Sequence, residues 1–222
     1  MVEAEKTSDK IICINLPFCW TPAVIEFKRQ LELGYVGKIK KIILRFRFPQ
    51  WPRSWQSTDW LKYKEQGGGL REVGTHFFFV LGEFSKWIGD VKQIWAKIDY
   101  GENDLAEWNA DGIIKLTSGL TVSIDYLVGS AEEEENSITI IGDNGYLSLQ
   151  KWSILLGSQN ESELAELKTN GKNEEDMVSA FLKSLKGIVP NNPLVTFKDA
   201  ANAQKILQAI HESNGEWIAL IN

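Results

Sequence analysis

The sequence predicts an α+β fold: a large, mostly antiparallel sheet with helices on one face. After Gly89, segments with alternating apolar and polar residues follow one another closely, separated by turn residues such as Ser118-Gly119 and Asp143-Asn144-Gly145. Helical apolar patterns precede and follow this part of the chain. Strands joined in sequence by short turns pair antiparallel, and five strand candidates lie at 91–100, 108–117, 120–129, 136–142 and 146–152.

The first 37 residues predict a strand and a helix that belong to an α/β unit. Residues 11–16 form an apolar run typical of a strand buried on both faces. Thr21 and Pro22 have the pattern of a helix N-cap and a first helical residue, and Gly34 follows the last apolar position. We therefore expect residues 1–37 to be the remnant of one domain and residues 38–222 to form the α+β domain.

The α+β domain is predicted to begin with a strand and a helix on either side of an aromatic loop. Residues 38–48 alternate with the period of a strand, which brings the predicted sheet to six strands or more. The segment 49–66 is irregular and rich in tryptophan. The glycine run Gly67–Gly69 then precedes a helical pattern that extends to Gly89, with one apolar stripe: Val73, Phe77, Val80, Leu81 and Phe84.

The C-terminal part predicts a loop and two helices. Residues 157–171 are polar and are expected to form an exposed loop. Helical patterns cover Glu174–Lys186 and Lys198–Ser213, and two prolines lie between them.

Composition and charge exclude several classes of protein. The chain has 24 basic and 30 acidic residues, a net charge of −6 and no dense basic run, which argues against a nucleic-acid partner. Its longest apolar stretch, Phe77–Leu81, is too short to span a membrane, and its N-terminus is too polar for a secretory signal. Cys13 and Cys19 lack the spacing of a redox or zinc site and fit free thiols in the cytoplasm. With two histidines, no metal site is expected.

Glu72 and His76 are the candidate catalytic residues. Positions i and i+4 share one face of a helix, so the two side chains can touch. A carboxylate beside an imidazole raises the pKa of the histidine and fixes its tautomer, as a general acid/base near neutral pH requires. Gly74 between them lowers helix stability by ~1 kcal/mol, which suggests a close approach at that turn. An ordinary Glu–His pair on an amphipathic helix is the alternative.

Residues 67–76, Gly-Gly-Gly-Leu-Arg-Glu-Val-Gly-Thr-His, resemble a motif of the Gfo/Idh/MocA family of NAD(P)-dependent oxidoreductases. In that family a glycine-rich segment opens a helix that carries Asp-x-Gly-x-His. Residues 11–39, the hairpin 141–149 and the helix 197–213 resemble further family segments in the same order. The resemblance implies that His76 is the acid/base, that Glu72 orients it in place of the usual Asp, and that residues 1–37 end a dinucleotide-binding domain.

Two features of the family do not occur in this sequence. The GxGxxG-type turn is missing, and so is the Glu-Lys-Pro segment with the catalytic lysine, which neither Lys6 nor Lys10 matches. The resemblance therefore implies NAD or NADP for a full-length relative, whereas we expect this chain alone to bind no cofactor and to be inactive.

The resemblance also implies a substrate with a hydroxyl-bearing carbon, as in a sugar, a cyclitol or a related polyol. Aromatic rings stack on sugars and arginine binds hydroxyl or carboxylate groups, so the candidates for the substrate wall are Trp51, Arg53, Trp55 and Trp60. A loop fixed by core packing explains these residues equally well. We expect a homodimer or a higher oligomer through the uncovered sheet face. A non-catalytic dimerisation or ligand-binding module and a truncated gene product are the alternatives.

Overall fold

The structure, a computed structural model, describes residues 1–169 and 175–220. Within these ranges it contains six α-helices and nine strands. The helices are α1 (Val2–Thr7), α2 (Pro22–Glu32), α3 (Thr75–Glu83), α4 (Ser85–Ile88), α5 (Met177–Leu185) and α6 (Phe197–Ser213). The strands are β1 (Ile39–Phe48), β2 (Val91–Tyr100), β3 (Glu107–Leu116), β4 (Thr121–Val128), β5 (Glu135–Gly142), β6 (Gly145–Gln150), β7 (Ile154–Gln159), β8 (Ala165–Glu166) and β9 (Ile218–Ala219).

The strands form a single sheet that is mostly antiparallel, as predicted. Their order is β8-β7-β6-β5-β1-β4-β3-β2-β9. β1 pairs in parallel with β4, with Phe46 opposite Tyr126, and antiparallel with β5 on its other side. The central strand β1 therefore joins two antiparallel groups of strands.

Helices cover one face of this sheet, which confirms the predicted arrangement. Alternate residues of β1, from Ile42 to Phe48, are buried, and the ring of Phe46 lies 5.3 Å from the ring of Phe77 in α3. Helix α6 packs against α3 and β2, and α2 packs against β6 and β7. The core includes every residue of the predicted apolar stripe: Val73, Phe77, Val80, Leu81 and Phe84.

The opposite face of the sheet combines charged and aliphatic side chains. Arg45 and Arg47 of β1 form ion pairs with Asp125 of β4 and with Glu132. Partly or fully exposed aliphatic residues surround this network on the same face: Ile43, Ile113, Leu127, Ile141 and Leu156. A charged centre thus divides the apolar surface that the sequence predicts here.

Capping residues mark the ends of two predicted helices. Oγ1 of Thr21 accepts a hydrogen bond from the Val24 amide at the start of α2, and Gly34 follows this helix with φ +71°. A capping box of Thr196 and Asp199 opens α6. Both helices therefore agree with their prediction from sequence.

The strand predicted at residues 11–16 is wrong. This segment is irregular: the amide of Ile14 donates a 2.9 Å hydrogen bond to the Val195 carbonyl, and Ile11 is 42% exposed. An apolar run becomes a buried strand only where other strands flank it, and the sheet ends elsewhere, at β8 and β9. Of the predicted strand and helix in residues 1–37, the helix α2 is formed, and the short helix α1 precedes the irregular segment.

The loop predicted at 157–171 is wrong in part, because β7 extends to Gln159 and β8 follows at Ala165–Glu166. The strand predicted at 146–152 ends at Gln150, where Lys151 and Trp152 reverse the chain with φ +46° and +69°. Asn170 and Gly171 of the predicted loop, and Glu174 at the predicted helix start, lie outside the described residues.

In the part of the chain that the structure describes, no helix is both long and apolar enough to cross a bilayer. Within the same residues, no cluster of three or more histidine, cysteine, aspartate or glutamate side chains is placed to hold a metal ion.

Candidate functional site

The glycine run leads directly into the helical segment that carries both candidate catalytic residues. Leu70–Gly74 forms a π-helical turn, which contains Glu72, and α3 continues from Thr75 and contains His76. Insertions of this kind are frequent at functional sites. The Cβ that Gly74 lacks would lie 3.1 Å from the ring of Phe78, so this glycine makes room for a core side chain.

A buried carboxylate occupies the start of this segment. Oε1 of Glu107 accepts a 2.8 Å hydrogen bond from the Leu70 amide, and Glu107 is only 2% exposed. Gly68 has φ +98°, and a Cβ there would collide with the Glu107 carboxylate. Burial raises the pKa of Glu107 to about 7. The group that accepts a hydrogen bond from this helix start is therefore a buried carboxyl group of the chain itself, from a residue that sequence reasoning missed.

The carboxylate of Glu72 is held by the aromatic loop. Nη1 of Arg53 donates a 2.9 Å hydrogen bond to Oε2 of Glu72, and the Gln56 amide lies 3.3 Å from Oε1. The same guanidinium binds Glu134, with Nε 3.0 Å from both carboxylate oxygens. Arg53 is only 8% exposed, so its charge is paired with these two carboxylates within the protein.

Three aromatic rings surround the Arg53 guanidinium, which lies 5.1 Å from the ring centre of Phe48, 5.3 Å from that of Trp51 and 5.7 Å from that of Trp55. Trp51 is fixed further, because its Nε1 donates a 2.9 Å hydrogen bond to the Leu61 carbonyl. Trp55 and Trp60 are 73% and 51% exposed. Of the four candidates for the substrate wall, these two present free aromatic surface.

His76 is the second residue of α3 and lies between two aromatic side chains. Its ring is edge-on to Trp152 at 5.5 Å and to Phe18 at 6.3 Å. Nδ1 is buried and has no hydrogen-bond partner among the described residues. Burial lowers the pKa of His76 and outweighs the opposing charge of Glu72, whereas the sequence predicts a raised pKa.

Arg53 thus contacts both Glu72 and the rings of Trp51 and Trp55. Glu72 affects His76 through its charge. Sequence reasoning missed Gln56, Glu134, Phe18 and Trp152. Glu134 belongs to the acidic run 132–135, which has the composition of a solvated loop, and nothing in its local pattern indicates the distant Arg53. Two cavities, of about 400 and 530 Å³, are lined by other residues, so the Glu72–His76 surface belongs to neither.

Comparison of sequences identifies one protein family. Residues 24–148, more than half of the chain, match the family described as GFO/IDH/MocA C-terminal domain. No curated protein is significantly similar in sequence.

Solved structures with the same fold include dehydrogenases and oxidoreductases. Levoglucosan dehydrogenase is 15% identical, with a TM-score of 0.78 over 100% of this chain and 70% of its own. An oxidoreductase from Agrobacterium radiobacter, solved with NAD+, L-tartaric acid and magnesium, is 16% identical, with a TM-score of 0.75 over 98% of this chain and 67% of its own. An oxidoreductase from Thermotoga maritima is 20% identical, with a TM-score of 0.73 over 98% and 65%. The present chain spans about two thirds of the length of such structures.

Proposed function

This chain belongs to the GFO/IDH/MocA family, and we propose from that membership that it forms the substrate-binding and oligomerisation part of an NAD(P)-dependent oxidoreductase. The substrate class is a sugar, a cyclitol or a related polyol with a hydroxyl-bearing carbon. Levoglucosan dehydrogenase, which shares the fold, has been solved with NADH and levoglucosan.

The observation that carries the proposal is the arrangement of Glu72, Gly74 and His76 on one helical segment. Because burial lowers the pKa of His76, its imidazole is neutral at pH 7 and can accept the proton of a substrate hydroxyl. Glu72, held by Arg53, supplies a fixed negative charge that stabilises the imidazolium formed. A bound nicotinamide would supply the hydride acceptor.

The residues of this chain do not fit the dinucleotide itself. A phosphate cradle uses free amides at a glycine-rich helix start, and here the Leu70 amide is bonded to Glu107. Gly68 leaves no space beside that carboxylate for a phosphate. We therefore assign the cofactor to a domain that is not part of this sequence, with residues 1–37 as the remnant of that domain.

The first test measures cofactor binding by the 222-residue chain. Calorimetric titration with NADH and NADPH should give no detectable heat of binding at micromolar concentrations, an order-of-magnitude range for cofactor affinity. Saturable binding in that range would contradict the assignment of the cofactor to another domain.

The second test measures turnover after a Rossmann-type cofactor domain is joined ahead of residue 11. A panel of sugars and cyclitols should include one that reduces NAD+ or NADP+, and His76→Ala should abolish that turnover. His211→Ala changes the other histidine, which lies in α6, and should retain it. Equal activity of the His76→Ala variant would reject the acid/base role.

A non-catalytic dimerisation module is the second candidate function. Two observations favour it: the carboxyl group of Glu107 occupies the glycine run, and aliphatic residues lie on the open sheet face.

We propose a homodimer through the open sheet face for either function. Sedimentation velocity should show a dimer that Ile113→Lys weakens and that Val189→Lys, at an 87% exposed position away from the sheet, leaves unchanged. A strict monomer at tens of micromolar, an order-of-magnitude range for a modest interface, would argue against the dimer.

A further inference from the structure

The turn between β6 and β7 has a conformation that its residues disfavour. Lys151 and Trp152 have φ +46° and +69°, and the Ser153 amide donates a 3.2 Å hydrogen bond to the Gln150 carbonyl. Tight hairpin turns with two positive φ values favour Asn-Gly, because glycine and asparagine tolerate this region. A bulky side chain there is an outlier that surrounding contacts must hold in place.

Besides a 3.2 Å hydrogen bond from the Lys151 amide to the Asn136 carbonyl, this turn is held by contacts of the Trp152 indole. Its ring lies 5.0 Å from Phe18, 5.4 Å from Phe77 and 5.5 Å from His76. The planes of Trp152 and His76 are inclined by 80°, and those of Phe18 and His76 by 89°. The imidazole is therefore confined edge-on by two rings from parts of the chain remote in sequence.

We propose that Trp152 is a positioning residue for His76: the strained Lys151–Trp152 turn places the indole against the imidazole and so sets both its orientation and its shielding from water. Nδ1 of His76, which is buried and has no hydrogen-bond partner in the described part of the chain, is the atom that this shielding affects. A role for the residue in turnover rests on the proposed function, but the positioning itself does not.

Among residues 1–169 and 175–220, few charged groups lie near the imidazole. Glu72 on the same helical segment opposes the effect of burial on the pKa of His76. On the turn, Nζ of Lys151 pairs with Glu133 at 3.1 Å, and both side chains are more than half exposed. On the Phe18 side, burial raises the pKa of Cys19 to about 11, so its thiol stays uncharged. Shielding by the rings is thus the feature that removal of Trp152 changes most.

The experiment is an NMR titration of the two histidines in the 222-residue chain, which needs no cofactor or substrate. In Trp152→Gly, a residue that tolerates the turn conformation replaces the indole, and the titration midpoint of His76 should rise toward the value of free histidine. Lys151→Asn alters the neighbouring turn position and should leave that midpoint unchanged. Trp152→Phe should restore much of the wild-type value, and His211 should titrate alike in every variant.

An unchanged His76 midpoint in Trp152→Gly, or an equal rise in Lys151→Asn, would overturn the proposal. If Trp152→Gly does not fold, Trp152→Phe and the wild-type protein decide: a nuclear Overhauser effect between the imidazole and indole protons is expected, and its absence rejects the arrangement. Because these readouts are independent of turnover, a failed activity test leaves the result intact.

Discussion

Nη1 of Arg53 donates a 2.9 Å hydrogen bond to Oε2 of Glu72, and the same guanidinium binds Glu134 from another part of the chain. One buried cation therefore connects the aromatic loop, the π-helical turn and the segment before β5. An aspartate at position 72 would be one methylene shorter, so the longer glutamate of this chain is what reaches the guanidinium of Arg53. The arrangement makes Arg53 a structural partner of the candidate site.

Arg53→Met should destabilise the protein by about 2–4 kcal/mol, because it leaves two partly buried carboxylates without their cation. Arg45→Met is the matched control, since Arg45 also pairs with acidic residues but is 35% exposed, and its loss should cost about 1 kcal/mol or less. Urea denaturation measures both variants. Equal losses would show that burial of the Arg53 network adds nothing.

Gly68→Ala should lower the free energy of unfolding by about 2–3 kcal/mol, since residue 68 has φ +98° and the new Cβ would displace the Glu107 carboxylate. Gly82→Ala in α3 is the control: its Cβ meets no described residue within 4 Å, and it should stabilise the protein by up to about 1 kcal/mol. Thermal denaturation should rank Gly82→Ala above wild type and Gly68→Ala below it. A neutral Gly68→Ala would show that the contact with Glu107 is dispensable.

Glu107 should make the protein less stable as the pH rises. Burial raises its pKa to about 7, above the ordinary value of 4.5, so the folded state retains a proton that the unfolded state has lost between these values. Glu107 should therefore contribute a fall of about 3 kcal/mol in the free energy of unfolding across that window, measured as the difference between wild type and Glu107→Gln. In Glu107→Gln, whose amide oxygen can still accept from Leu70, this contribution should be absent. An unaltered pH dependence in the variant would contradict the assignment.

His211 should have the opposite effect. Burial, followed by the charge of Arg71, lowers its pKa to about 4 from 6.5, and its Nδ1 lies 3.0 Å from the Tyr100 hydroxyl. The unfolded state binds the proton first, so stability is lost as the pH falls from 6.5 to 4. In Glu107→Gln, the loss of stability between pH 6.5 and pH 4 should become measurable, and adding His211→Gln should remove it. Denaturation at several pH values would refute the prediction if this loss persists in the double variant.

The predictable parts of the fold are those whose signals are local. Thr21, Pro22 and Gly34 mark α2 because capping acts within a few residues, and the alternation in β1 and β3 reflects one buried face. Residues 11–16 have the composition of a buried strand, but composition cannot reveal whether neighbouring strands exist to pair with them. That expectation failed for a tertiary reason.

The candidate site was predictable to the same degree. The helical spacing of Glu72 and His76 is local, and so is the richness of residues 49–66 in tryptophan. The partners that give these residues their properties come from remote segments: Glu107 reaches Leu70, and Glu134 reaches Arg53. The β6–β7 turn was missed because Lys-Trp contains no turn residue, and it is the tertiary contacts of Trp152 that stabilise it.

The parallel pairing of β1 with β4 constrains the order in which the sheet can assemble. β1 ends at Phe48 and β4 begins at Thr121, so the central strand is synthesised long before either of its neighbours exists. The hairpins β2–β3–β4 and β5–β6–β7 can each form from local contacts, whereas β1 must wait to be inserted between them. Until then its aliphatic and aromatic residues stay exposed, which makes the nascent chain most prone to aggregation at the segment that later becomes its best-protected strand.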